Sequence, residues 1–385
     1  MQSLQAHRKV EHLSLAEKLY SASHQNHPFD GVRLVPNGLP EATVAKTDLT
    51  TQLGPLSLAV PFYIEAMTGG SQQSTKINRS LARLAAKHHL AMATGSMSII
   101  FKDPTAKASF TCLREENPDG LIFANLGAGA NLNQAQVAVN LIHADALEIH
   151  LNATQETVMA EGDREFLWQA NLKKIITGLK VPVIIKEVGF GMSAKTIAEL
   201  AQLGAQIVNL SGRGGTNFAM IEDRRNHEDD FTDLYDFGLT TPESLIEAQL
   251  LTKHPTIIAS GGITTPIDVV KALAMGASAV GVAGYFLHEL IQNKEAGLDQ
   301  TIDHWVREIK RLYALLGCQT TADWQQVNTV FSPELMSYLE QRRLQIKWLK
   351  KTRLRRTKNF SASFYIFEYH TETQVGEKFF PNLLI

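Results

Sequence analysis

From residue 61 onward, short apolar runs rich in Val, Ile, Leu and Ala alternate with longer stretches whose apolar positions recur at helical spacing. Continuous apolar runs suit strands buried on both faces, and their alternation with helices is the signature of βα units around a parallel sheet. The runs at residues 62–66, 91–94, 121–124, 146–150, 183–186, 207–210, 257–260 and 279–282 predict eight strands, with helices between them over 74–88, 164–179, 193–203, 242–252 and 266–275. Eight units in one chain predict an α/β fold of the (β/α)8 TIM-barrel type over residues 60–290; a doubly wound open sheet is the alternative the pattern leaves open. Polar and glycine-rich segments fall just after each strand: Met67-Thr68-Gly69-Gly70, Gly95-Ser96, Asn125-Leu126-Gly127, His150-Leu151-Asn152, Lys186-Glu187, Ser211-Gly212, Gly261-Gly262 and Ala283-Gly284. In a closed barrel all of these converge on one mouth, where barrel enzymes place their sites, so their placement favours closure.

Residues 42–60, broken at Gly54-Pro55, predict a hairpin that plugs the barrel floor. Residues 211–240 form a connection far longer than the usual βα loop of about 2–6 residues, and at the mouth of a barrel such a segment reads as a lid. Residues 1–60 are then an N-terminal extension, and helices over 300–316 and 332–343 close the body, giving one domain over 1–343. The last 42 residues differ in kind. Residues 344–385 carry eight Lys and Arg against three acids and eight of the chain's 29 aromatics, while the whole chain has a net charge of −2. The body is therefore acidic, and the tail reads as a weakly ordered appendage or a translated frameshift artefact, whose basic part, 347–358, could continue the last helix.

A near-neutral total excludes a global field for nucleic acid, and no apolar run reaches the roughly 18 residues that span a bilayer. Two cysteines, Cys112 and Cys318, are too few for a disulfide framework and fit a reducing cytoplasm. The first 20 residues are polar and charged, so no secretion signal is expected. No Ser-His-Asp order, Walker motif, zinc spacing or convincing pair of catalytic carboxylates stands out.

The glycine turns after the last two strands, Ser260-Gly261-Gly262 and Gly281-Val282-Ala283-Gly284, sit where barrels bind phosphate, because glycine lets backbone N–H groups approach the oxygens and the next helix adds its dipole. A tight turn alone would explain one of them; two in adjacent units favour a phosphate-bearing ligand. Lys186 ends an apolar strand, where an unpaired ammonium is expensive. It needs a salt bridge, for which Glu148 is a candidate and Glu187 a poor one, or a ligand anion such as a flavin ring. In the segment from Glu148 to Glu156, His150 is either a core histidine or a diphosphate contact. Asn152 and Thr154, taken singly, read as loop polars. Gln155-Glu156 sets an amide beside a hard oxygen ligand suited to Mg2+. Arg8-Lys9 is a solvated N-terminal face unless it folds over the mouth and grips phosphate. Met92, Met97, Met159 and Met275 read as core filling.

Taken in order, Arg8-Lys9 to His12, Ala66 to Gly70, Gly95-Ser96, Asn125-Leu126-Gly127, His150-Leu151-Asn152 with Gln155-Glu156, Lys186 to Gly189, Ser211 to Phe218 and Ser260 to Ile263 resemble the type 2 isopentenyl diphosphate isomerases, over about residues 8–342. The Arg-Lys start together with the His-x-Asn-x-x-Gln-Glu segment discriminates that family from other FMN barrels. The resemblance implies an FMN-dependent isomerase of isopentenyl and dimethylallyl diphosphate that needs reduced flavin, with NADPH as reductant, and Mg2+, and that forms homotetramers or octamers. It implies FMN contacts from Ala66, Met67, Thr68, Ser96, Asn125, Lys186, Ser211, Thr216, Gly261, Gly262, Ala283 and Gly284. Arg8, Lys9, His150, Asn152 and Gln155 would hold the substrate, Glu156 the Mg2+, and Gln155 and Lys186 would serve catalysis. Two departures touch the phosphate contacts: Met97-Ser98 stands where many members have Gln-Arg, and Thr264 where many have Arg. Two competing readings remain, an FMN-dependent 2-hydroxy acid oxidase-like enzyme and a non-catalytic phosphate-binding barrel.

Overall fold

The computed structural model describes residues 4–20, 27–225 and 229–357. In chain order the elements are α1 (Leu4–Lys18), β1 (Val32–Leu34), β2 (Thr51–Leu53), β3 (Leu56–Leu58), β4 (Phe62–Ile64), α2 (Gln72–His88), β5 (Met92–Ala93), α3 (Ala108–Glu116), β6 (Ile122–Gly127), α4 (Leu132–Leu141), β7 (Ala146–His150) and α5 (Ala153–Val158). They continue with α6 (Gln169–Gly178), β8 (Val183–Lys186), α7 (Ala194–Gln202), β9 (Ile207–Asn209), α8 (Phe218–Arg225), α9 (Thr241–Gln249), β10 (Thr256–Ser260), α10 (Pro266–Ala274), β11 (Ala279–Val282), α11 (Gly284–Leu315), β12 (Thr329–Phe331) and α12 (Pro333–Thr357). The eight strands β4 to β11 close into a parallel barrel, β11 pairing with β4 and β9 with β10. This is the predicted fold, and each predicted run supplies one strand.

Side-chain alternation explains how the sequence fills the barrel. Residues two apart on a strand share a face. On β8, Ile184 and Lys186 are two such positions; Ile207 and Asn209 on β9 and Ile258 and Ser260 on β10 repeat the pattern. The first member of each pair joins Phe123, Ala146 and Ala279 in an apolar cluster, and the second is buried and polar. The interior therefore changes from apolar to polar within one pleat on the way to the mouth. The other end is sealed by the antiparallel hairpin β2–β3, whose Leu53 and Leu58 join the same cluster. Gly54 turns the hairpin at φ +59°, and a Cβ there would meet Ile207 Cδ1 at 2.9 Å. Only 51–58 form the strands of the expected plug; 44–46 are a short 3-10 turn. A larger apolar shell lies between strands and helices, where Phe62, Phe286 and Trp305 pack ring on ring.

Three helix expectations need correction. α6 starts at Gln169, five residues after the expected 164, because Arg164 folds back on the carbonyls of Glu156 (2.5 Å), Met159 and Gly162 at the end of α5. Those carbonyls are the unpaired acceptors of a helix end, and a guanidinium satisfies them at the cost of local helix. Second, α11 starts at Gly284, directly after β11, and continues through a kink at Lys294 (φ +62°) into the helix expected at 300–316. Third, the connection 211–240 contains a docked helix, α8, with α1 and α5 packed against it.

The chain divides into two units, Met1–Leu339 and Glu340–Ile385. α12 runs to Thr357, as the basic stretch from 347 predicts, and the aromatic segment 360–385 lies outside the described residues. Among the described residues no helix is long and apolar enough to cross a membrane, and both cysteines are free and buried.

Leu53→Ala should destabilise the protein by about 2–5 kcal/mol in denaturant unfolding, since its side chain is fully buried in the floor. Gln52→Ala on the exposed face of the same strand should change stability by less than about 0.5 kcal/mol.

Candidate functional site

A cavity opens at the C-terminal ends of the barrel strands, and every residue to which the family resemblance gave a site role lines it, from Arg8 and Lys9 on α1 to Ala283 and Gly284 after β11. The glycine turns bring bare backbone to the cavity wall. Gly261 and Gly262 take φ +96° and +72°, and a Cβ on Gly261 would stand 1.9 Å from Gly212 O. Only glycine fits there. The adjacent N-terminus of α11, at Gly284, adds unpaired backbone donors and the positive end of a dipole. Ser211, almost fully buried, is held at φ +39° by its N–H on Asn209 Oδ1 (3.2 Å), a non-glycine left-handed residue at the rim.

Lys186 reaches the cavity from β8, and its partner is neither candidate considered above. Its Nζ lies 3.6 Å from Oε1 of Glu65, just after β4. Glu187 turns the other way and accepts the N–H groups of Val188, Gly189 and Phe190, although burial still pushes its carboxyl up to about 7. Burial works against the Lys186 charge, but Glu65, Glu148 and Glu187 outweigh it and raise the ammonium above its ordinary value. Glu65 is itself buried and accepts the Ala66 N–H (2.7 Å) and the Tyr63 hydroxyl (2.7 Å). Room for it comes from β11: a Cβ on Gly281 would stand 2.5 Å from Glu65 Oε2. A second buried carboxylate, Glu148 on β7, approaches the same hydroxyl and accepts Asn125 Nδ2 (2.9 Å). The sequence thus does hold a carboxylate pair at the barrel's heart, formed across strands that are remote in sequence.

His150 Nδ1 lies 2.8 Å from Asn125 Oδ1, whose amide is oriented by Glu148. Nδ1 therefore carries the hydrogen, and Nε2 of the neutral ring is left as an acceptor. Burial, with Lys186 and Lys9 nearby, holds the imidazole down to about 3. Gln155 and Glu156 sit on the short helix α5 rather than in an open loop. Asn152 Nδ2 donates to Gln155 Oε1 (3.2 Å) and to Glu156 Oε1 (2.7 Å), and the Asp163 N–H donates to Glu156 Oε2 (2.8 Å). Among the described residues no group of three His, Cys, Asp or Glu could hold a metal. Glu156 is thus one oriented carboxylate, the kind of ligand Mg2+ combines with phosphate oxygens and water.

Arg8 and Lys9 do fold over the mouth. Lys9 Nζ donates to Ser96 O (2.5 Å) and stands 5.6 Å from the Phe110 ring centre; burial and the adjacent Arg8 pull its ammonium down to about 7. Arg8 pairs with Glu161 (3.4 Å), which Arg225 of α8 also grips. Partial desolvation works against the charge of exposed Glu161, but Arg225 and Arg8 hold its carboxyl down to about 2. Arg225 further bonds Glu222 (2.7 Å) and Glu11 (3.3 Å), and fully buried Glu222 meets His12 Nε2 at 2.6 Å. These links strap α1 to α8 across the opening. Neither departure from the family pattern brings a cation back: Met97 is core, Ser98 meets the Ser96 hydroxyl at 3.1 Å, and the Thr264 N–H donates to Asp268 Oδ2 (3.1 Å) beside the N-cap Thr265 of α10. The other methionines expected in the core, at 92, 159 and 275, are buried too.

Sequence reading missed Tyr63, Glu65, Glu161, Glu222 and Arg225. For Glu65 a signal existed, an acid two residues beyond a strand aromatic and so on the same inward face.

The family model of FMN-dependent dehydrogenases matches residues 116–330. A protein named isopentenyl-diphosphate delta-isomerase from Limosilactobacillus reuteri subsp. reuteri is 57% identical over 346 residues, covering 89% of this chain and 99% of the relative. One of the same name from Latilactobacillus sakei subsp. sakei is 47% identical over 345 residues, covering 90% and 99%. Among solved structures, a flavocytochrome b2 with sulfite bound superposes with a TM-score of 0.63 at 17% identity, covering 94% of this chain and 90% of that one, which shows the shared barrel. The chain belongs to the isopentenyl-diphosphate delta-isomerase family, on the barrel of the FMN-dependent enzymes.

Proposed function

We propose that this chain interconverts isopentenyl and dimethylallyl diphosphate by a 1,3-proton shift with no net redox change. The observation that carries this reading is one cavity in which the Lys186 ammonium and the Gly261-Gly262 turn face the α1 cations and the Gln155-Glu156 pair of α5. The first two suit a flavin ring and its phosphate, the last two a diphosphate and its metal. The reaction adds a proton to the terminal alkene carbon and removes one from the carbon two bonds away. An alkene is an extremely weak base, so positioning, exclusion of water and stabilisation of the cationic centre must lower the barrier.

Ala66, Met67, Thr68, Ser96, Asn125, Ser211, Thr216, Gly261, Gly262, Ala283 and Gly284 would hold FMN beside Lys186. Reduced FMN, with NADPH as its reductant, supplies an electron-rich ring face and a ring nitrogen able to exchange a proton. Lys186 favours the anionic reduced ring. Gln155 orients or relays the proton on the far face of the alkene. Glu156 would offer a carboxylate oxygen to Mg2+, which would supply charge neutralisation for the diphosphate. Arg8, Lys9, His150 and Asn152 take the remaining diphosphate oxygens. Residues 211–240, docked through α8, act as the lid over that end of the site. The enzyme works in the cytoplasm as a homo-oligomer, a tetramer or octamer, with the catalytic domain ending near 343.

Anaerobic incubation with FMN, NADPH, Mg2+ and isopentenyl diphosphate should yield dimethylallyl diphosphate. Oxygen uptake with a 2-hydroxy acid, and no isomer, would instead favour the oxidase; no arginine occurs between residues 257 and 288 to hold such a carboxylate, and His288 is turned onto Glu17. Protein that takes up no FMN would favour a phosphate-binding barrel.

Glu156→Gln should lower Mg2+-dependent turnover by about 100-fold while leaving FMN bound, and unchanged turnover would sink the metal role. Diphosphate binding at pH 8 should take up protons. The anion-free Lys9 titrates near 7 and is mostly neutral there, and an anion raises it, whereas His150, near 3, stays neutral. Affinity should therefore strengthen as pH falls from 8. Calorimetry in buffers of different ionisation heat should show the uptake lost in Lys9→Met.

A further inference from the structure

Tyr63, Glu148 and Asn209 do not line the cavity, and they join Glu65 and Asn125 of its floor in a buried polar chain. Tyr63 Oη is 2.7 Å from Glu65 Oε2, 3.2 Å from Glu148 Oε1 and 3.1 Å from Asn209 Nδ2. A phenol has one hydrogen, so Tyr63 can donate to only one of the two carboxyls. Glu65 is surrounded by donors on both oxygens: Ala66 N–H and Lys186 on Oε1, Tyr63 and Asn209 Nδ2 (2.5 Å) on Oε2. A proton on Glu65 would point at one of these donors. Glu148 differs: Asn125 Nδ2 donates to Oε2, the Tyr63 oxygen faces Oε1, and the other group within hydrogen-bonding reach is the Glu65 carboxyl, an acceptor. The shorter Tyr63 contact is the one to Glu65, 2.7 Å against 3.2 Å, so with the phenol hydrogen on Glu65 an ionised Glu148 would face a phenol oxygen and a second carboxylate with no hydrogen between them.

We propose that Glu148 is a neutral carboxylic acid whose O–H donates to Tyr63, a positioning residue that leaves Glu65 as the single counter-charge of Lys186. Every polar atom of the chain is then satisfied in one direction: Glu148 to Tyr63 to Glu65, Asn125 to Glu148, His150 to Asn125, and Ser260 to Asn209 Oδ1 (2.8 Å). Burial and the adjacent Glu65 carboxylate push the Glu148 acid well above its ordinary range, in keeping with this geometry, with Lys186 opposing. The consequence reaches the mouth. One ammonium balanced by one carboxylate leaves a neutral floor, so an anionic ring above Lys186 is not opposed by a second negative charge. An ionised Glu148 would overcompensate Lys186 and disfavour that anion. This last step rests on FMN lying above Lys186, whereas the protonation state does not.

Two measurements test the proposal on the full-length protein. The infrared spectrum at pH 8, as wild type minus Glu148→Gln, should show a protonated-carboxyl C=O band belonging to Glu148, and a carboxylate band in its place would overturn the proposal whether or not flavin binds. In the FMN-loaded protein, Glu148→Gln should leave the flavin midpoint potential within about 15 mV, a threefold shift for a two-electron couple. Glu65→Gln, which removes a real charge, should shift the couple towards reduced flavin at least tenfold, about 30 mV. An equal upward shift in Glu148→Gln would mean that Glu148 is ionised and the proposal wrong. Should Glu65→Gln fail to fold, the infrared band and the Glu148→Gln potential still decide the matter.

Discussion

Placing one lysine ammonium inside a parallel barrel sets the terms for the rest of the structure. Lys186 is buried at the end of β8, and an ion there persists only with a counter-charge and hydrogen bonds. Glu65 supplies the charge, and stranding either partner would cost about 3–5 kcal/mol. Glu65 in turn needs the Tyr63 hydroxyl, the Asn209 amide and the space that glycine at position 281 leaves open. Each neighbouring strand therefore gives up an apolar inward position at the same height, and the barrel acquires a polar layer over its hydrophobic floor. That layer forms the bottom of the active cavity. Preorganised charge in a water-poor site is worth more than in solvent, which gives a fold with so large an apolar core a reason to keep it.

The other side of the cavity is built from segments outside the βα repeat. Arg225, on a helix inside the longest loop, holds Glu11, Glu161 and Glu222 together, and so ties the N-terminal helix over the opening. Surface ion pairs contribute little singly, but here Glu222 is fully buried and shared, so the strap is a network and not a set of independent contacts. Through it, Arg8 and Lys9 are positioned by residues more than 150 positions away in the chain.

The barrel was legible in the sequence because its signal is local. Alternation of apolar runs with helical segments marks each βα unit, and glycines and polar residues after each strand mark the mouth. The cavity lining was legible for the same reason, helped by the family resemblance. Pairing across strands was not. Periodicity shows that Glu65 and Glu148 face inward on their own strands but carries no information on which strands bring them within reach of one phenol. The lysine's partner was consequently sought among its near neighbours and found on the first strand. Helix boundaries failed where a side chain outcompeted the backbone, as Arg164 does at the end of α5. The lid expectation missed α8 because its buried apolar positions, Ala219 and Ile221, are few and run straight into a charged stretch.

A chain matched by the family model of FMN-dependent dehydrogenases is here assigned to a reaction without net electron transfer, and that is the claim most in need of a direct count. The measurement is the ratio of NADPH oxidised to dimethylallyl diphosphate formed under strict anaerobiosis with FMN-loaded protein and Mg2+. The assignment predicts many product molecules per NADPH, the reductant being used only to bring the flavin into its active state. A fixed ratio of one NADPH per product, or NADPH oxidation with no isomer formed, would contradict it.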